Sequence, residues 1–283
     1  MGNYKYIQSY TRIYRQVTRF HIIVQSSFQI YFAQGQDRPN HLQFKIEGIM
    51  FKEIQHPFTP QTAEVPGYVP NVIPLWQIFA CYLVPLCVIC LLVIFGLRHD
   101  QYGKKFGLNE RVFFVWFAIS GFTHICVEIP FTLGQASMAW RGDIWSEIWK
   151  EYSKADSRYI LAQSTTVAIE IMTAWILGPM CLMVVWLHYK RNTTRYVLEL
   201  IIAVSHLYGT TVYYLEEHLS GYEHVPVDNP KYMWLYFGVF NSPWLIFPVL
   251  IIIRNWLLLS HCQAVYDVMI AKREQLRNEK KKH

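Results

Sequence analysis

The run PLWQIFACYLVPLCVICLLVIFGL, residues 74–97, decides the fold class. About 20 mostly apolar residues in a row are what a helix needs to cross a bilayer core. Four more segments read the same way, at about residues 112–133, 160–187, 196–215 and 232–259. Lipid offers no water to backbone amides, so each segment has to close its hydrogen bonds internally, as a helix does. A β-barrel would show short segments of alternating polarity, and the sequence has none. Composition agrees: 53% of the 283 residues are hydrophobic and 16% charged, against roughly 25% charged in soluble domains. The expected architecture is an all-α membrane protein, with five transmembrane helices bundled over residues 71–260.

The flanks read differently. Residues 1–70 form an N-terminal extension expected to be poorly ordered. From Met1 to Gln36 it carries Lys5, Arg12, Arg15 and Arg19 and no acidic residue. Its apolar stretch, residues 20–32, is broken by His21, Gln25, Ser26, Ser27 and Gln29, and is too short and polar to cross a bilayer. A transit peptide, a surface-lying segment and a start at Met50 are the alternatives. The Pro-rich stretch 56–70 leads into the first span.

Lys/Arg bias places the C-terminus in the cytosol. Arg98, Lys104, Lys105 and Arg111 in the first loop, Lys190, Arg191 and Arg195 in the third, and the basic tail 261–283 share one side. Only Lys231 marks the fourth loop, although Arg141, Lys150, Lys154 and Arg158 in the second count against this orientation. The terminal Lys280-Lys281-Lys282-His283 resembles a dilysine retrieval signal of the endoplasmic reticulum. A basic tail lying against anionic lipid is the alternative. Five of the six cysteines lie in the spans and read as small packing residues rather than disulfides. Cys87 and Cys90 have CxxC spacing but no second pair, so no metal is expected. No nucleic-acid partner is expected either.

Ionisable groups in a span are costly and are functional candidates by default. They are His124 and Glu128 in the second span, Glu170 in the third, and Glu199 and His206 in the fourth. Arg254 lies near one end of the fifth, where it could snorkel. His124 and Glu128 are four apart and share a helix face. Thr173 lies one turn from Glu170. Two carboxyls and an imidazole near the midplane read as acid–base machinery or a proton path, and interhelical hydrogen bonding is the competing reading. For His206 that competing reading is preferred. Glu216, Glu217 and His218 are expected to be solvated at the membrane edge. Asn241 and Trp244 are three apart on one face; an amide can hold a carboxyl, and a Trp face can stabilise a cation.

Trp149-Lys150-Glu151-Tyr152-Ser153-Lys154-Ala155-Asp156-Ser157-Arg158-Tyr159 resembles the WKEYxKxDSRY stretch of the emopamil-binding-protein family. Three helix motifs follow the family's order. Gly121-Phe122-Thr123-His124-Ile125-Cys126-Val127-Glu128 resembles its GxxHxxxE. Val167-Ala168-Ile169-Glu170-Ile171-Met172-Thr173-Ala174 resembles its VxxExxTA. Asn241-Ser242-Pro243-Trp244 with Pro248 resembles its NxxW...P. The likeness spans about residues 65–259; residues 1–49 fall outside it.

The resemblance implies a five-helix fold holding a sterol between the helices, and isomerisation of a ring double bond from Δ8 to Δ7. It implies His124, Glu128 and Glu170 as catalytic residues, and Thr173, Asn241, Trp244 and Tyr159 as substrate-binding residues. Asn241 and Thr173 would orient the carboxyls. No cofactor is implied. Cationic amphiphilic ligands fit the family, and a homodimer is compatible with it. Where the family commonly has Gly after the second-helix Glu, this chain has Ile129-Pro130, which removes a helix hydrogen bond. A non-catalytic sterol- or drug-binding protein of the same fold is the alternative. A proton-coupled transporter is third, but the sequence shows no internal repeat.

Overall fold

A computed structural model describes residues 55–96 and 98–279. Residues 1–54 lie outside the described residues, and with them most of the expected extension; so does the Lys280-Lys281-Lys282-His283 signal. The described chain forms six helices: α1 (Leu75–Gly96), α2 (Leu108–Trp140), α3 (Ile144–Tyr152), α4 (Ser164–Tyr189), α5 (Arg195–Leu219) and α6 (Lys231–Glu279). All but α3 are long and apolar enough to cross a membrane. Among the described residues the only β-pairing is an isolated bridge between His99 and Lys105. Leu83, Val84 and Val88 of α1, Trp186 of α4 and Trp256 of α6 are exposed on the outside, as a face against lipid requires.

Boundaries shift where local geometry demands it. α4 begins at Ser164 rather than near 160, because Ala162 takes a left-handed φ of 49° and breaks the chain direction. α6 does not stop near 259: the expected tail continues it as an exposed helix to Glu279.

Four helices widen: α1 at Leu92–Gly96, with no proline after it, and three others shortly before a proline. The N–H of Ile129 reaches back to the His124 carbonyl, that of Gly178 to Thr173, and that of Phe240 to Leu235. Bonds to the fifth residue back mark π turns. A proline follows each of these three, at Pro130, Pro179 and Pro243. Proline has no N–H to donate and its ring clashes with the carbonyl four residues back, so the helix must widen or kink nearby. The Ile129-Pro130 departure therefore has a local consequence: the widened turn Thr123–Glu128 carries both His124 and Glu128.

α2 and α4 approach closely there. A Cβ on Gly178 would lie 2.9 Å from both His124 Cβ and Ile125 Cγ1, and one on Gly121 2.7 Å from Leu182 Cδ2. At Gly178 a side chain would have to displace the base of His124; at Gly121 the end of Leu182 would have to turn aside.

The loop from α3 to α4 is an ionic scaffold. Arg158 is fully buried. It donates to both carboxylate oxygens of Asp156, to the Tyr213 carbonyl and to Glu216. Its guanidinium lies 4.2 Å from the Tyr213 ring centroid, while the Tyr213 hydroxyl donates to Asp156. Glu217 is fully buried, 3.5 Å from Arg158, and accepts from the His224 amide at 2.7 Å. Of Glu216, Glu217 and His218, expected to be solvated, only His218 is exposed without an ionic partner. The reason is Arg158, a buried charge that has to be paired.

A second buried pair, Lys150 and Glu147 at 2.9 Å, anchors the lead-in to the first span. Glu147 accepts from the amides of Val72 and Ile73, and Lys150 donates to the Val69 carbonyl. Phe58 is fully buried edge-on against Tyr68. Within residues 55–70, the described part of the expected extension, Phe58 and Tyr68 are buried. Arg254, read as snorkelling, pairs with Glu199 at 2.9 Å, beside Asn255. Of the cysteines read as packers, Cys181 is buried, whereas Cys81 and Cys87 face outward.

Two outcomes follow. Gly178→Val should force α2 from α4 and lower stability by about 1–3 kcal/mol, the usual cost of overpacking, measured as thermal unfolding in detergent; an unchanged melting temperature would refute the close approach. His224 is the second case. Its hydrogen bond to Glu217 raises its pKa above the usual 6.5. Stability from the protonated pair is fully present below about 6.5 and is lost as pH rises through the raised native value. The melting-temperature gap between the wild type and His224→Gln should therefore be widest in acid and narrow upward. A gap independent of pH would contradict this.

Candidate active site

The helices line a half-open cavity of about 750 Å³, with residues of all six in its wall. Its walls are mostly apolar and aromatic, among them Ile78, Phe79, Trp116 and Phe240. All seven residues singled out in the sequence, His124, Glu128, Tyr159, Glu170, Thr173, Asn241 and Trp244, line it.

The widened turn of α2 sets the first group. His124 and Glu128 are both buried. His124 Nδ1 is 2.8 Å from each oxygen of Glu128. Thr173, at the head of the widened turn in α4, donates to Glu128 Oε2 at 2.5 Å. Both oxygens of Glu128 thus have partners, from two helices: the Thr173 hydroxyl donates, and the role of His124 Nδ1 is set by the imidazole tautomer. The far nitrogen of His124, Nε2, is 2.9 Å from Nε2 of His206 on α5. His206 does tie helices together, as expected, but the tie is to a site residue.

Glu170 forms the second group. It is buried, and its Oε1 accepts from the Tyr159 hydroxyl at 2.8 Å. Oε2 has no protein partner. Tyr159 is held by stacking on Trp149, with ring centroids 4.8 Å apart. It fixes a carboxyl as well as lining the cavity.

Asn241 departs from its expected role. Its amide nitrogen donates to the Tyr152 hydroxyl at 2.7 Å and the Phe237 carbonyl at 2.8 Å, so both amide hydrogens are committed away from the carboxyls. It connects instead to a hydroxyl pair, Tyr152 with Tyr213 at 3.3 Å. Trp244 stacks edge-on to Trp116 and lies 6.2 Å from the His124 ring; its buried Nε1 has no partner.

Sequence reading passed over Tyr82, Tyr152 and Tyr213. Tyr82 contacts Thr123 at 3.3 Å from α1. One helix's sequence does not say which neighbour a tyrosine meets; Tyr152 alone carried a signal, its place in the WKEYxKxDSRY stretch. Among the described residues, the donor atoms close enough to share a metal ion belong to His124, Cys181 and His206, within 4.8 Å of one another. Two imidazoles and a thiol are a soft donor set, but here His124 commits Nδ1 to Glu128 and Nε2 to His206.

The family model "EBP: EXPERA (EXPanded EBP superfamily)" matches residues 144–255, which include Tyr159, Glu170, Thr173, His206, Asn241 and Trp244. A rat 3-beta-hydroxysteroid-Delta(8),Delta(7)-isomerase is 31% identical over 217 residues, covering 77% of this chain and 94% of that protein. The chain belongs to the EXPERA superfamily. Its mouse counterpart of the same name is 34% identical over 220 residues, covering 77% of this EXPERA chain and 94% of the mouse protein. A rice relative, named as a probable isomerase of that type, is 32% identical over 202 residues, covering 71% of this chain and 90% of its own. Both ends of the EXPERA match fall on helices that line the cavity.

Proposed function

We propose that this chain is a sterol Δ8–Δ7 isomerase acting by proton addition and removal through a carbocation. The carrying observation is that two carboxyls on different helices face one apolar cavity in different hydrogen-bonding states. Both oxygens of Glu128 have partners, whereas Glu170 has one oxygen without a partner. A 1,3 shift needs that asymmetry: one group to give a proton and another to take one.

Glu170, protonated on its unpartnered oxygen, gives its proton to C9. The C8=C9 electron pair forms the new C9–H bond and leaves a tertiary cation at C8. Glu128, as a carboxylate, removes a proton from C7, and the C7–H pair becomes the C7=C8 bond. Thr173 and His124 hold Glu128 in place, and Tyr159 holds Glu170. The Trp244 ring and the Glu128 charge face the cation, which preorganised charge stabilises without reorganisation. Asn241 orders Tyr152 at the cavity wall. Each turnover moves one proton from Glu170 to Glu128, and exchange with solvent restores both carboxyls. The step itself needs no cofactor.

The same apolar cavity with buried carboxyls suits cationic amphiphiles, which carry a charge where the intermediate does. We place the protein in the endoplasmic reticulum membrane with its C-terminus cytosolic, on the Lys/Arg bias and the terminal lysines. The domain division follows the same reading, with the isomerase domain over residues 71–260.

Expression in cells lacking their own Δ8–Δ7 isomerase should lower Δ8 sterols and raise Δ7 sterols. Glu170→Gln and Glu128→Gln should each lower turnover about 10²–10⁴-fold, the usual worth of a positioned acid or base. Normal turnover in either variant would sink this mechanism. Tyr159→Phe removes a hydrogen bond worth about 1.5–3 kcal/mol if its partner is charged, or about 10- to 100-fold in rate. A Tyr159→Phe enzyme with wild-type rates would show that Glu170 needs no such support.

A further inference from the structure

We propose that His206 is a positioning residue that fixes the tautomer of His124 and so keeps Glu128 a proton acceptor. The inference rests on the isomerase reading above. It starts from one contact, the 2.9 Å approach of the two Nε2 atoms.

Two imidazoles that meet nitrogen to nitrogen, both neutral, must divide the roles: one donates and the other accepts. Two arrangements satisfy this. In the first, His206 donates from Nε2, His124 accepts at Nε2, and the His124 proton sits on Nδ1. That proton then points at both Glu128 oxygens, 2.8 Å away, and Glu128 accepts it as a carboxylate. In the second, His124 donates from Nε2 and turns a bare Nδ1 toward Glu128, which must then carry a proton itself.

The surroundings of His206 separate the two. Its other nitrogen, Nδ1, is buried and has no partner. The second arrangement forces the His206 proton onto that nitrogen, leaving a buried N–H unmet. The first leaves only an unmet lone pair there. Orphaned buried N–H groups are the rarer and costlier case. The first arrangement therefore prevails. It makes His206 the third member of a chain running His206, His124, Glu128, with Thr173 closing it from the other side. A base oriented by a second group, itself oriented by a third, is a recurring way to hold a catalytic group in one state.

Packing supports a fixed ring. His206 is buried, and the edge of its ring meets Trp116, with centroids 6.4 Å apart. Trp116 in turn stacks on Phe247 at 4.4 Å. The imidazole therefore has little room to turn away from His124. Nothing in the sequence of α5 alone marks His206 for this role; it arises from the meeting of α5 with the widened turn of α2.

The test compares two substitutions in the full-length protein, with purified enzyme and a Δ8 sterol. His206→Gln keeps a side-chain N–H that can donate to His124, whereas His206→Met fills similar space and cannot donate. His206→Met is expected to lower kcat about tenfold or more with KM within about twofold. His206→Gln is expected to restore kcat to within about threefold of wild type. Wild-type kcat in the Met variant, equal loss in both variants, or a loss confined to KM would each overturn the proposal. Nitrogen-15 NMR of histidine-labelled wild type gives an answer even where a variant fails to accumulate. His124 protonated on Nδ1 is expected, and protonation on Nε2 overturns the role given to His206. Lack of turnover by folded wild type would instead strike the isomerase reading and leave the tautomer result standing.

Discussion

A carboxyl with both oxygens partnered inside a membrane-spanning bundle is the constraint on which the site depends. Glu128 cannot be solvated there, so its partners must come from other side chains. His124 supplies one from the same helix and Thr173 another from the helix opposite. The Thr173 bond requires α2 and α4 to lie close together, which Gly178 permits. Both partners sit in helical turns wider than usual, each followed by a proline. The same local features thus serve packing and chemistry at once.

The work is divided along the chain. The stretch from Trp149 to Tyr159 carries the most specific resemblance, yet most of it builds scaffold. Lys150, Asp156 and Arg158 are buried in ion pairs that bind the lead-in, the α3–α4 loop and the end of α5 together. Desolvation offsets much of the attraction in buried pairs of this kind, so they are weak evidence of stability. The stretch they anchor includes Tyr152 and Tyr159, which stand at the cavity wall. Their neighbours are charged and structural; they are aromatic and hold the polar groups of the site.

Much of this was legible in the sequence. The five spans followed from apolar run length, and the seven cavity residues from ionisable groups in lipid together with the motifs. What the sequence did not carry was pairing between helices. His206 read as a tie because nothing on α5 shows that its partner is His124. Glu217 read as solvated because its place in the chain is a helix end, while Arg158, 59 residues earlier, makes it interior. Asn241 read as a carboxyl partner by residue type, but its position directs the amide to Tyr152 and Phe237. Pro130 was noted as a lost hydrogen bond. Its further effect, a widened turn under His124 and Glu128, depends on how the helix absorbs that loss.

The central claim is that separate groups give and take the proton, with Glu170 loading the ring and Glu128 unloading it. Turnover of a Δ8 sterol in deuterated water, followed by mass spectrometry and NMR of the Δ7 product, tests it most directly. Two exchangeable carboxyls predict one deuterium at C9 in every product over many turnovers, since Glu170 reloads from solvent and never receives the hydrogen taken from C7. Products of later turnovers that carry hydrogen at C9 would mean that one group takes the hydrogen from C7 and delivers it to the next ring. That result would contradict the two-carboxyl account.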